Sequence, residues 1–181
     1  GGAVIAMIAA ASRRGGGKAE ALRIEHLNAK FQRIGDDLRA ATMNSSDAKA
    51  LRKRRKAERK ENKTDPAAKP RTFVVDFKGD IRAQGVASLR EEVSAVLSVA
   101  SESDAVVVRL ENPGGTVPDH GLGAAQLARL RDADLDLTVV VDRVAASGGY
   151  LMACVAERSV AAPVAIIGSI GVIAQLPNFR R

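Results

Sequence analysis

From Arg71 onward the chain alternates short apolar runs with stretches whose apolar residues recur at helical spacing. This is the pattern of βα crossover units around a mostly parallel sheet. Thr72–Phe77 (TFVVDF), Ala105–Leu110 (AVVVRL), Leu137–Val141 (LTVVV) and Val164–Ile167 predict four strands. Between them, Val86–Ala100 carries Leu89, Val93, Val96 and Leu97 along one helical face, and His120–Leu130 predicts a second helix. Gly148–Ala156 predicts a short third helix directly after a tight turn.

The N-terminal part follows another pattern. Residues Leu22–Met43 place Leu22, Ile24, Leu27, Phe31, Ile34 and Leu38 at near-helical spacing among charges, predicting an amphipathic helix that packs on a partner. Pro66 and Pro70 block continuation of a helix and mark a domain boundary. Gly1–Ala11 (GGAVIAMIAAA) is apolar and ends at Ser12, Arg13 and Arg14. Too short to cross a bilayer, it predicts the last turns of a membrane-spanning segment, with a frayed apolar terminus as the alternative. A secretory signal peptide fits less well, because the basic residues follow the apolar run. Three regions result: 1–14 as the membrane remnant, 15–70 as amphipathic helix and basic linker, and 71–181 as the globular part.

Composition constrains the core and the partners. Of the 181 residues 46% are hydrophobic but only 3% aromatic, with no Trp, so the core must be aliphatic. The net charge of +7 is concentrated: nine of the 28 Lys and Arg lie in Lys49–Lys63 with two of the 21 acidic residues, leaving nineteen of each sign elsewhere. Such a run reads as a solvated helix or tether, and without an aromatic in it no nucleic-acid partner is expected. Cys154 is the single cysteine and the histidines, His26 and His120, are far apart in sequence, so neither metal nor cofactor is predicted. Cys154 is expected in the core, on an apolar helix face with Leu151 and Val155.

Ligands of open α/β sheets gather at the carboxyl ends of parallel strands. Two segments fall there. Asn112-Pro113-Gly114-Gly115 follows AVVVRL, and its paired glycines either form a plain turn or leave backbone N–H groups exposed for an oxyanion. Ala145-Ala146-Ser147-Gly148-Gly149-Tyr150 opens the short helix; Ser147 reads either as a nucleophile flanked by small residues or as a helix N-cap. A triad of Ser147 with His120 and Asp142 is disfavoured: His120 reads as a surface residue and Asp142 as a strand end. Lys78, in the FKGD turn, is disfavoured as a base.

The motifs FVVDFKGDI, VRLENPGG, VVDRVAASGGYLMACVA and APVAIIGSIGVIAQLPNF resemble the S49 serine peptidases, the family of signal peptide peptidase A, and above all their SohB-type branch. The resemblance runs from about Pro70 to Arg181. It implies a ClpP/crotonase-like superhelix of ββα units, truncated here and preceded by a helical extension. It further implies Ser147 as nucleophile, Gly114, Gly115 and Gly148 as the oxyanion-binding turn, and Ser169 as a residue that positions the general base. That base is a lysine in the family, and the resemblance puts it downstream of Arg181, so the chain as given is expected to be inactive. Implied partners are extended peptide or protein substrates with small or apolar residues, further copies in a homo-oligomeric ring, and the inner (cytoplasmic) membrane, with the side of the peptidase domain undecided. Two other readings stay open: a crotonase-type acyl-CoA enzyme, and a non-catalytic membrane-tethered scaffold.

Overall fold

A computed structural model describes residues 3–8, 22–61 and 69–174. In chain order the elements are β1 (Ala3–Ile8), β2 (Arg23–His26), α1 (Leu27–Thr42), α2 (Ser45–Glu61), β3 (Arg71–Lys78), α3 (Val86–Val99), β4 (Ala105–Glu111), α4 (Val117–Arg131), β5 (Asp136–Val141), β6 (Val144–Ala146), α5 (Gly148–Ala153), β7 (Arg158–Ala161) and β8 (Ile166–Gly168). One sheet has the order β2-β1-β3-β4-β5-β7 and is parallel except for β1 against β2; a smaller parallel sheet pairs β6 with β8. The domain is therefore mixed α/β with a parallel sheet.

The strands form where β-branched residues alternate between two faces. Phe73, Val75 and Phe77 of β3 share one face with Val106, Val108 and Leu110 of β4 and with Leu137, Val139 and Val141 of β5, and all nine are buried. Helix α3 covers that face with Leu89, Val93 and Val96, and α4 does so with Leu127 and Leu130. Right-handed crossovers that advance in one direction along a sheet put their helices on one side, and α4 accordingly packs against both α3 and α5. Burying each of these aliphatic side chains contributes about 1.5–3 kcal/mol, so the aliphatic composition suffices for a core. The start of the sheet is held by Asp104, which accepts hydrogen bonds from the Arg71 N–H and guanidinium and from the Ser101 N–H and hydroxyl.

Several expectations need correcting. The apolar run predicted to end a membrane span is, over Ala3–Ile8, a strand; its register, Ala3 against Arg71 to Met7 against Val75, extends the sheet along the edge of β3. Residues 9–14 lie outside the described residues. No described helix is long and apolar enough to cross a membrane. The predicted helix over Leu22–Met43 begins only at Leu27, because Arg23–His26 pairs with β1. None of its residues is buried, and Phe31, Ile34 and Leu38 are exposed. The basic run is helix α2 as far as Glu61, with Lys49, Arg52, Lys53, Arg54 and Lys56 exposed; residues 62–68, including Pro66, lie outside the described residues.

Within the globular part β6 and β7 are strands additional to the four predicted, and the last predicted strand is shifted to Ile166–Gly168. Cys154 is exposed, since α5 ends at Ala153 and its buried side is made by Met152 and Ala153.

Candidate active site

Both glycine-rich segments stand at carboxyl ends of parallel strands, Asn112–Gly115 after β4 and Ser147 after β6. A bridge between Asn112 and Ala145 ties them, with the Asn112 N–H donating to Val144 O at 2.9 Å and the Ala146 N–H to Asn112 O at 3.0 Å. The pairing continues into the neighbouring strand, where the Ser147 N–H donates to Gly168 O at 2.7 Å. Ser169 follows Gly168 directly, is exposed and, like Ser147, has a positive φ, 52°.

Ser147 has φ 49° and ψ −115°, a backbone region that side-chain-bearing residues rarely occupy. Holding it there costs about 1–3 kcal/mol, repaid by the backbone pairing on both sides. Its hydroxyl makes no cap hydrogen bond to α5, so the N-cap alternative fails while the side chain stays half-buried at a strand-to-helix turn. A serine on such a strained turn is the way a nucleophilic hydroxyl is lifted clear of its own backbone.

The two turns meet face to face. Gly114 has φ +87°, and a Cβ built there would lie 2.7 Å from Ser147 Cβ, 2.6 Å from Ala146 O and 3.0 Å from Gly148 N. Only a residue without a side chain fits between them. The Gly114 N–H is already committed, donating to Asn112 Oδ1 at 2.9 Å. The Gly115 and Gly148 N–H groups have no hydrogen-bond partner among the described residues. Of the three glycines predicted for anion binding, these two retain a free donor, and Gly114 serves by giving room.

Asn112 and His120 are the residues sequence reading underrates. Asn112 is fully buried; its Oδ1 accepts the Gly114 N–H and lies 3.2 Å from His120 Nε2, while its Nδ2 donates to Met152 Sδ at 3.3 Å. His120 is buried rather than on the surface, with Nδ1 2.9 Å from Thr116 O. A Cβ on Gly148 would fall 2.4–2.7 Å from its imidazole and Cβ, so the ring is the floor under the residue that follows Ser147. Asp142 meets neither His120 nor Ser147 in any hydrogen bond or ion pair, and the triad is absent among the described residues. Lys78 is exposed and paired with Glu111 at 3.4 Å. No group of three His, Cys, Asp or Glu among the described residues could hold a metal ion.

A parallel α/β domain that presents a strained serine against a glycine turn with two free N–H donors has the parts of a serine hydrolase. The sequence comparisons narrow the class. Residues 2–127 match the family model for the N-terminal region of peptidase family S49 and residues 129–181 that of peptidase family S49, and the chain belongs to this family. It is 58% identical over 109 residues to the probable protease SohB of Haemophilus influenzae, covering 60% of this chain and 31% of that protein. It is 46% identical over 161 residues to the probable protease SohB of Buchnera aphidicola subsp. Schizaphis graminum, covering 86% of this chain and 47% of that protein. It is also 32% identical over 99 residues, 53% of this chain and 14% of the relative, to the chloroplastic serine protease SPPA of Arabidopsis thaliana. The chain thus spans less than half the length of these relatives.

Proposed function

We propose that the full-length protein is a membrane-associated serine endopeptidase that cleaves peptide bonds through an acyl-enzyme on Ser147. The observation that carries this reading is the close approach of Gly114 to Ser147, which brings the turn with the free Gly115 N–H against the strained serine that precedes the free Gly148 N–H. In the chemistry this allows, the Ser147 oxygen attacks the scissile carbonyl carbon, the carbonyl oxygen takes the negative charge in front of the two N–H groups, and the amine leaves. The proton from Ser147 goes to a lysine that we assign, by the family resemblance, to a segment after Arg181, and passes from it to the departing amine; water, giving up a proton to the same lysine, then hydrolyses the acyl-enzyme and restores Ser147, while Ser169 holds the lysine in place. A lysine surrounded by apolar groups sheds its proton near neutral pH and can act as a base. Lys78 does not fit that role, being exposed and paired with Glu111. Without the downstream lysine the 181-residue chain is expected to be inactive.

In the same reading the βα units after Arg71 are the first turns of a ClpP/crotonase-like superhelix, the protein forms a homo-oligomeric ring, and its substrates are extended polypeptides. Membrane association is supported by the exposed Phe31, Ile34 and Leu38 of α1 beside the cationic α2. The membrane is expected to be the inner one.

A fluorophosphonate probe on the full-length protein tests the proposal. Covalent labelling of Ser147, together with loss of both labelling and peptide hydrolysis in Ser147→Ala, is expected. Hydrolysis that persists in Ser147→Ala would overturn it, and the absence of both labelling and hydrolysis in the unaltered full-length protein would favour a scaffold.

A further inference from the structure

The carboxyl ends of β3 and β4 border a cavity of about 280 Å³, which the peptidase reading leaves unused. Phe77 and Leu89 give it an apolar wall, and its charged lining is mixed. Most of those charges are committed. Arg109 donates two guanidinium hydrogen bonds to Asp76, and Lys78 and Arg143 both reach Glu111 at 3.4 Å. Two lining carboxylates, Glu92 and Asp142, are in no ion pair among the described residues.

Glu92 is the informative one. It projects from α3, is 1% exposed, and its Oε2 has no hydrogen-bond partner. Buried carboxyl oxygens are normally satisfied, so an orphaned one in the lining of a cavity marks an absent donor. A metal ion is a poor candidate, because no three ligating side chains among the described residues are grouped to hold one. An apolar wall leading to a carboxylate suits a cation at the tip of an alkyl stem, which packs its methylenes and offers N–H donors at its end.

We propose that this cavity binds the ammonium or guanidinium group of a Lys or Arg side chain, with Glu92 as the acceptor, the stem against Phe77 and Leu89, and the exposed Asp142 adding negative charge. A bound peptide and a second copy of this chain offer the same group. The proposal does not depend on Ser147 being a nucleophile.

The test is binding, read by NMR on the full-length protein with glutamate carbonyl carbons labelled. Butylguanidinium and butylammonium are titrated, with tetramethylammonium, which carries the charge but no N–H, as control. Saturable displacement of the Glu92 carboxyl resonance by the two donors is expected, with about tenfold weaker binding or none for the control. Glu92→Gln and Glu92→Leu, followed on the Phe77 amide, are expected to abolish saturation; two variants guard against misfolding in one. No saturation in the unaltered protein, an equal response to tetramethylammonium, or saturation that survives both variants would overturn the site. Sedimentation of the variants then distinguishes the sources. Loss of assembly assigns the group to a second copy, whereas intact assembly with a lysine peptide bound about tenfold tighter than its norleucine analogue assigns it to a peptide. If neither changes, no polypeptide uses the cavity and the proposal falls.

Discussion

Gly114 and Ser147 touch through a space too small for a methyl group: a Cβ on Gly114 would stand 2.7 Å from the Cβ of Ser147. Ordinary carbon contacts need about 3.5–4.0 Å. The positive φ of Gly114, +87°, adds backbone strain to any side chain placed there. Gly114→Ala is therefore expected to separate the two turns and pull the Gly115 N–H away from the place where a substrate oxygen would sit. Losing one oxyanion donor costs about 10²–10³ in kcat. Peptide hydrolysis by full-length Gly114→Ala should fall by at least that much, with fluorophosphonate labelling of Ser147 slowed in parallel. Unchanged rates would mean that the contact does not govern the site.

Asn112 joins this turn to the helix beneath it. Its Oδ1 serves Gly114 and faces His120, and both side chains are wholly buried. Truncating Asn112 to Ala strands the Gly114 N–H and one imidazole nitrogen in the interior, which costs about 1–3 kcal/mol for each unsatisfied group. Chemical denaturation of Asn112→Ala, His120→Ala and the double variant should give a coupling of about 0.5–3 kcal/mol. Strict additivity would show that the 3.2 Å contact carries no energy.

How far this could be read in advance depends on whether the signal is local. β3, β4 and β5 are legible because their valines and leucines fill a helix-covered face, so the pattern persists over whole strands. β6 and β7 are three and four residues long, and every residue of Arg158–Ala161 is exposed, so no apolar pattern marks them. The N-terminal strand was concealed because Ala and Met between Val4, Ile5 and Ile8 make a run that is apolar without alternating. At the site, Ser147 and the glycines stand out as sequence motifs. The burial of His120 does not, because it follows from α4 passing under Gly148, a relation between residues far apart in the chain. A histidine near a helix start carries no trace of that in its neighbours.

The pair of Arg71 and Asp104 makes a prediction about acid. The guanidinium of Arg71, with the N–H groups of Ser101 and Arg71 itself, holds the Asp104 carboxyl far below its ordinary value, against the opposing effect of burial. A carboxyl that is more acidic in the folded state stabilises the fold at and above neutral pH, and that stability drains away as pH falls below the ordinary carboxylate range. The Asp104 side chain is 1% exposed and that of Arg71 23%, so the pair is little screened. Asp104→Asn should cost about 3 kcal/mol at pH 7 and much less near pH 2. Denaturation midpoints at the two pH values measure the difference, and an equal loss at both would show that charge is not what the contact contributes.

Glu92 should behave in the opposite sense. Burial raises its carboxyl from the ordinary 4.5 to about 7, and the neighbouring negative charge of Asp76 pushes in the same direction. The folded protein therefore holds this proton more tightly than the unfolded chain between pH 4.5 and about 7. Protons favour the fold in that window, stability declines as pH rises through it, and the loss is complete just above it. Its full extent is about 3 kcal/mol. Glu92→Gln keeps the shape and removes the titration, so it should be more stable than the unaltered protein at pH 8 and nearly equal to it at pH 5. Arg109 and Lys78, on neighbouring strands, are engaged by Asp76 and Glu111 and do not offset the buried charge directly. Urea midpoints across pH 5–8 provide the measurement. A stability difference that stays flat with pH would mean that Glu92 keeps its charge in the folded protein, satisfied by a donor at Oε2.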